Sequence, residues 1–240
     1  MSRQNVYDDE AFFAGYQQLR DAESGINAAI EQPGLRALLP ELAGRTVLDL
    51  GCGDGTLARE LARRGATRVL GADPSGRMLT LARARTAEPQ VRYVQAFAED
   101  LSLRSGCADL VVSSLAFHYV ADLGLVLDRI ARWLRPGGWL VASMEHPLRT
   151  AELAQRDDPG AAGDYAAEGR RDQAWFVDGV VKYHRRVSTI VNLVLAAGLE
   201  LRAVTEPGPT PAALAARPEL ERHHRQPAIL ILAATQPPAR

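Results

Sequence analysis

From residue 46 onward, short apolar runs and longer amphipathic stretches alternate along the chain with few interruptions. Val47, Leu48 and Leu50 form a run that reads as a buried parallel strand at 46–50, and further strands read at 68–72, 91–97, 109–114 and 139–144. Helical periodicity fills 55–64, 75–86 and 122–134, while a loop follows the third strand and the turn Pro136-Gly137-Gly138 opens the fifth. Strands separated by helices require crossovers of one hand, so the pattern predicts a parallel sheet covered on both faces. A helix at 185–197 stopped by Gly198, a strand at 199–205 and a final apolar strand at 228–234 complete the series, with no internal repeat.

Two segments depart from this rhythm. Residues 6–43 read as two helices broken at Pro33 and Gly34, which makes 1–45 a helical N-terminal cap on a domain spanning 46–240. The stretch 147–180 is rich in charge, Gly and Ala and is long for a plain connection. It leaves the carboxyl end of the fifth strand, so it is expected to roof the crevice there as a lid, with Trp175 and Phe176 as its apolar anchor.

Composition narrows the class. A chain of 240 residues with 47% hydrophobic and 24% charged residues suits one large domain with a sizeable core. Lys+Arg 28 against Asp+Glu 29 gives a net charge of −1, which offers no electrostatic case for nucleic acid or an anionic membrane surface. The first residues contain no apolar stretch behind a basic start, and no run is long enough to span a bilayer, so a cytoplasmic protein is expected. The two cysteines, Cys52 and Cys107, read as free thiols.

The chemistry concentrates after the first strand. In TVLDLGCGDGT, residues 46–56, Gly51, Gly53 and Gly55 are spaced two apart and open into a helical pattern. Glycine is required where the backbone turns sharply or lets a ligand approach without a Cβ in the way. Asp73, at the carboxyl end of the second strand, is placed to accept hydrogen bonds from both hydroxyls of a ribose. A dinucleotide site would show G-x-G-x-x-G, but Thr56 stands where its third glycine would fall. Asp49, two residues before the first glycine, suits a cationic ligand better than a diphosphate.

This arrangement resembles the class I S-adenosylmethionine-dependent methyltransferases, whose first motif reads [DE]-x-G-x-G-x-G. The resemblance extends through Glu99-Asp100 after the third strand, DLVVSS at 109–114 and LRPGGWLV at 134–141. It implies a single Rossmann-like α/β domain whose seven-stranded, mostly parallel sheet carries helices on both faces, the last strand running antiparallel between the fifth and sixth. It also implies S-adenosylmethionine as cofactor, held by Asp49, Gly51, Cys52, Gly53, Gly55, Asp73, Pro74, Glu99, Asp100 and Ser114. Tyr7, Tyr16 and Arg20 would cover it from the cap. An [ND]-P-P-[FY] segment, typical of enzymes that methylate amines of nucleic-acid bases or glutamine, is replaced by Ser113-Ser114-Leu115-Ala116. The resemblance is therefore greatest to enzymes acting on small molecules by in-line displacement, with oxygen, nitrogen and carbon all open as the methylated atom. A nicotinamide-dependent oxidoreductase and a non-catalytic cofactor-binding regulator are the alternatives.

Methyl transfer from a proton-bearing nucleophile is helped by a base, and histidine is the residue suited to that near neutral pH. His118 lies beyond the fourth strand, His146 ends the fifth, and His184 begins the helix after the insertion, so these three could converge on the acceptor. His146, fixed in direction by Pro147, is expected to be the base or a substrate contact. His223 and His224 read as solvated. No ligand spacing such as H-x-x-x-H supports a metal. Oligomeric state stays open.

Overall fold

Val47 and Leu50 are each 1% exposed, and they sit on strand β1 (Thr46–Leu50), an interior strand of a seven-stranded sheet. In the computed structural model, which describes residues 4–21, 25–154 and 162–238, this sheet also contains β2 (Arg68–Asp73), β3 (Val91–Gln95), β4 (Ala108–Ser113) and β5 (Leu134–Glu145). Two strands, β6 (Gly169–Trp175) and β7 (Val177–His184), form a separate antiparallel pair, and β8 (Glu200–Thr205) and β9 (Ile229–Thr235) complete the main sheet. Its order is β3-β2-β1-β4-β5-β9-β8, with β1 to β5 parallel and β9 antiparallel to both neighbours. The expected α/β architecture is present, including the antiparallel last strand.

Alternation along the strands separates two cores. Leu48, Leu50, Val111, Leu140, Ala142, Leu230 and Leu232 face one side. There they pack against α5 (Leu123–Trp133) and α7 (Val187–Ala196) through Val126, Ile130, Ile190 and Val194. Val47, Leu110, Val112, Val141, Ile229 and Ile231 face the other. Their partners are Leu35 of α2 (Gln32–Leu38) and Leu61 of α3 (Thr56–Arg63). Each strand thus follows the period of two, and both faces are buried as a parallel sheet requires. Helix α4 (Gly76–Arg85) follows β2, and its N-cap Ser75 accepts from the Met78 N–H at 3.1 Å. The order reverses between β1 and β4, which opens a crevice at their carboxyl ends.

Three elements differ from the sequence reading. Pro33 and Gly34 do not break a helix; they lie in the first turn of α2. A π-helical turn at Asn27–Glu31 runs straight into it. Strand β5 starts at Leu134, directly after α5, and continues through the glycine turn. Most of the described insertion is ordered structure: α6 (Pro147–Ala151) is followed by the β6–β7 hairpin, with residues 155–161 outside the described residues. His184 is therefore the last residue of β7, not the start of a helix.

The N-terminal segment docks on the hairpin and on α4. Helix α1 (Glu10–Asp21) buries Phe12 completely, against Trp175, Phe176 and Val180. Gln4 joins the hairpin edge, donating to the Gly179 carbonyl at 2.7 Å and accepting from the Val181 N–H at 2.7 Å. Asp8 caps α4 from outside: its carboxylate accepts from the Ser75 hydroxyl at 2.6 Å and from the Arg77 and Gly76 N–H groups at 3.0 and 3.3 Å. Burial opposes ionisation of Asp8, but the bonds from Ser75, Arg77, Gly76 and Asn5 outweigh it and hold the carboxyl below its usual range.

A carboxyl depressed in the folded state contributes stability above its unfolded value and loses it as pH falls through the folded value. The cap should therefore stay latched at neutral pH and release below about pH 4, the ordinary aspartate range. Near-ultraviolet circular dichroism of the aromatic cluster would record this as a transition preceding sheet unfolding. Asp8→Ala should speed hydrogen exchange in residues 4–21 at pH 7 and leave β9 protected, a local loss on the order of 1 kcal/mol for a helix cap.

Candidate active site

The crevice is a cavity of about 1180 Å³, larger than the roughly 300–1,000 Å³ of a typical small-molecule site. Its floor is the glycine turn. The Gly51 and Cys52 N–H groups donate to the Ala72 carbonyl at 2.8 and 3.1 Å, folding the turn against the end of β2. Gly53 has φ +53, and a Cβ there would meet nothing within 4 Å, so this residue faces open space in the cavity. Gly55 is different. It is the N-cap residue of α3, it does not line the cavity, and a Cβ on it would fall 2.2 Å from the Tyr93 hydroxyl. Its need for glycine comes from helix entry and packing, a correction to the expectation that it touches the ligand.

Asp73 ties this floor together. Its two oxygens accept from the Gly53 and Ser75 N–H groups, each at 2.8 Å, and each oxygen keeps a second lone pair for a ligand hydroxyl. Burial raises its pKa to about 6 against the pull of those two bonds. Asp49 is 1% exposed, lines the same floor, and neither of its oxygens has a hydrogen-bond partner among the described residues. Burial first, then the charges of Asp73, Asp54 and Glu31, raise its pKa to about 8.

Cys52, Pro74, Glu99, Ser114, Tyr7 and Tyr16 also line the cavity. Asp100 is exposed and lies outside the lining. Arg20 belongs to α1, but its side chain lies outside the described residues. Ser114 donates at 2.8 Å to Glu31, a fully buried acid that also accepts from the Ser143 hydroxyl at 2.6 Å. The Leu115 N–H in turn donates to the Ser143 hydroxyl and carbonyl at 3.0 and 3.1 Å, holding Leu115 at φ 53 in the cavity wall. Strained backbone of this kind collects at ligand sites.

The histidines do not converge. His146 caps α6: its Nδ1 accepts from the Leu148 N–H at 3.1 Å and its Nε2 donates to Glu206 at 2.8 Å, away from the cavity lining. His184, fully buried, donates from Nε2 to the Tyr165 carbonyl at 3.0 Å and accepts at Nδ1 from the Thr150 hydroxyl at 2.8 Å. Neither ring has a nitrogen left for a substrate, so the expectation that they act as bases is withdrawn. His223 is buried rather than solvated, whereas His224 is largely exposed. Only His118 lines the cavity. Its Nδ1 accepts from the Glu145 N–H at 3.3 Å, which leaves the ring proton on Nε2, and burial lowers its pKa to about 3. It is a neutral hydrogen-bond donor, not a base.

Beside His118 the cavity is lined by Glu145 and Lys182, which the sequence did not single out as site residues. Glu145 and Lys182 form an ion pair at 2.6 Å with the lysine 1% exposed, and Lys182 Nζ lies 5.2 Å from the Trp175 ring and 5.8 Å from the Tyr119 ring. Burial pushes the Glu145 carboxyl up, but His118, Lys182 and Arg149 outweigh it and hold it below its usual range. Burial lowers Lys182, and Glu145 only partly restores it. Burial, with neighbouring hydroxyls and acids, holds the Tyr7 and Tyr119 phenols well above their ordinary value, so both stay protonated. The signal available beforehand was Glu145 itself, an acid at the carboxyl end of the fifth strand.

Fold and floor together define a nucleoside-binding α/β protein. Residues 48–142 match the family described as Methyltransferase domain. The crystal structure of an S-adenosylmethionine dependent methyltransferase from Mesorhizobium loti is 39% identical, with a TM-score of 0.80, and the match covers 88% of this chain and 100% of that one. A Ubiquinone biosynthesis O-methyltransferase from Sinorhizobium medicae is 34% identical over 165 residues, 67% of this chain but 62% of that protein's length. An uncharacterized protein from Haemophilus influenzae is 33% identical over 223 residues, 85% of this chain and 86% of the other. The chain belongs to the S-adenosylmethionine-dependent methyltransferases. Its cofactor is S-adenosylmethionine, and the floor fits it: unpartnered buried Asp49 oxygens suit a cationic ammonium, and Gly53 leaves room for close approach.

Gly53→Val should abolish S-adenosylhomocysteine binding in calorimetry while circular dichroism stays native, because the side chain fills the ligand's space and resists positive φ. Asp49 supplies a pH test. An acid raised in the folded state binds protons more tightly than in the unfolded chain, so its protonation stabilises the ligand-free protein at low pH and that gain fades as pH climbs toward 8. An ammonium group requires the ionised form. Affinity for S-adenosylhomocysteine should therefore rise between pH 6 and 8, by up to roughly tenfold per unit, and Asp49→Asn should flatten that rise.

Proposed function

We propose that the protein methylates a small-molecule acceptor at the end of the cavity formed by Glu145, Lys182, His118 and Tyr119, with Glu145 receiving the acceptor's proton. When bound, S-adenosylmethionine supplies an electrophilic methyl group on a sulfonium. Asp49 would hold its ammonium, Asp73 its ribose hydroxyls, Glu99 its adenine amine, and the Gly51–Gly53 backbone would run alongside.

The observation that carries the reading is the buried Glu145–Lys182 pair facing the same cavity as Asp49 and Asp73. Lys182 fixes the Glu145 carboxylate and keeps it ionised, so it can accept a proton from a nucleophile lying beside it. His118 Nε2–H and the Tyr119 hydroxyl are donors that can orient an acceptor oxygen. Holding nucleophile and methyl in line supplies much of the acceleration. The name of the Sinorhizobium relative supports oxygen as the methylated atom. The cap and the β6–β7 hairpin act as the roof of this site and part to admit the acceptor.

Labelled S-adenosylmethionine incubated with fractionated extract should transfer label to small molecules; label confined to protein or nucleic acid would overturn the reading. Glu145→Gln should lower turnover about a hundredfold with S-adenosylhomocysteine affinity within about twofold of wild type. Since Glu145→Gln leaves Lys182 buried and unpaired, a cost of roughly 3–5 kcal/mol, the double variant Glu145→Gln/Lys182→Met serves as the folded control. Near-normal turnover in that variant would remove Glu145 from the chemistry.

A further inference from the structure

Arg149, on α6, lines the acceptor end of the cavity. It is half-buried, and among the described residues its guanidinium makes no hydrogen bond or ion pair. It lies close enough to act electrostatically on Glu145, Lys182 and His118. The other charges at this end are matched: Glu145 by Lys182 at 2.6 Å, and Arg170 by Asp172 at 2.9 Å. One cation is left over in a partly enclosed space, where an unmatched charge is costly and a fork of N–H donors fits an oxyanion.

The walls around it are aromatic. Tyr7 meets Tyr16 and Tyr119 edge-on, with centroids 5.1 and 6.1 Å apart, and Tyr16 meets Trp175 at 6.1 Å. Rings that meet edge-on along a cavity wall offer faces and edges to another flat ring. A cationic acceptor, which aromatic walls can also attract, is disfavoured because Lys182 already lies against the Trp175 and Tyr119 rings. Gln173 adds a buried Oε1 without a partner among the described residues, ready to accept from a hydroxyl or amine.

We infer that the acceptor is an aromatic oxyanion, its ring against Tyr7, Tyr16, Tyr119 and Trp175, its charge on Arg149, and its proton-bearing nucleophile at Glu145. The inference rests on the methyl-transfer reading above and adds the substrate class. Arg149 is the specificity determinant.

The test is calorimetry on protein saturated with S-adenosylhomocysteine, titrated separately with 4-hydroxybenzoate, 4-hydroxyphenyl phosphate and neutral 4-hydroxybenzamide. At least one oxyanion should bind tenfold or more tightly than the amide, and the tighter of the two says whether the charge is a carboxylate or a phosphate. Arg149→Gln should erase that preference with S-adenosylhomocysteine affinity unchanged, and Arg149→Lys should restore part of it, since lysine keeps the charge without the fork. Equal binding of acid and amide, a preference that survives in Arg149→Gln, or no binding of any probe at millimolar concentration would overturn the inference. Failure to bind S-adenosylhomocysteine in the first place would count against the cofactor floor instead, so the two failures are distinguishable.

Discussion

The Asp73 carboxylate is the joint on which the site depends. Its bonds to the Gly53 and Ser75 N–H groups fasten the turn after β1 to the start of α4. Ser75 is also the residue whose hydroxyl meets Asp8, so one chain of hydrogen bonds runs from the cofactor floor to the N-terminal cap. Two backbone donors are what keep a nearly fully buried carboxyl ionisable at about pH 6 rather than higher. The floor, the second crossover and the cap are thus fixed by a side chain that retains lone pairs for a ligand.

Charge is distributed unevenly along the cavity. Asp49 and Asp73 lie at the glycine turn, where Arg85 pairs with Asp54, whereas Lys182 and Arg170 come from the hairpin and Lys182 pairs with Glu145. Buried groups of one sign raise each other's cost of ionisation, which is why Asp49 is pushed to about 8 by its acidic neighbours on top of burial. On the reading proposed above, a cofactor ammonium would relieve the acids and an anionic acceptor would relieve Arg149.

What could be read beforehand was whatever depends on local backbone demands. The glycine turn, Asp73 at a strand end and the strand–helix alternation all follow from short-range requirements, and all recur in the structure. The histidines were misjudged because their direction depends on one residue of register. Glu145 and His146 are neighbours at the end of β5, and successive side chains there point apart. Glu145 faces the cavity, and His146 turns to cap α6 and meet Glu206. The hairpin escaped for a related reason. On β7 the inward row is Val180, Lys182 and His184, two of them polar, so the strand's period of two is hidden from a hydrophobic pattern. Glu31 was equally hidden, a buried acid in an apolar stretch whose partners Ser114 and Ser143 lie far along the chain.

The roof is coupled rather than assembled from independent flaps. Phe12 touches Tyr7 and Tyr16 on its own segment and Trp175 and Phe176 on the hairpin, so it serves both halves at once. At the hairpin tip Phe176 takes φ 58, and its ring lies 2.5 Å from where a Cβ on Gly15 would be. The contact therefore exists only because α1 presents a glycine there, accepting the weaker helix propensity that glycine brings. Gln4 fastens the other end of the same contact to the backbone of β7. Since Lys182 and Trp175 belong to the hairpin while Tyr7 and Tyr16 belong to the N-terminal segment, any displacement of one half separates the rings that line the cavity. If the acceptor binds as proposed, its admission and the completion of its binding surface are a single event.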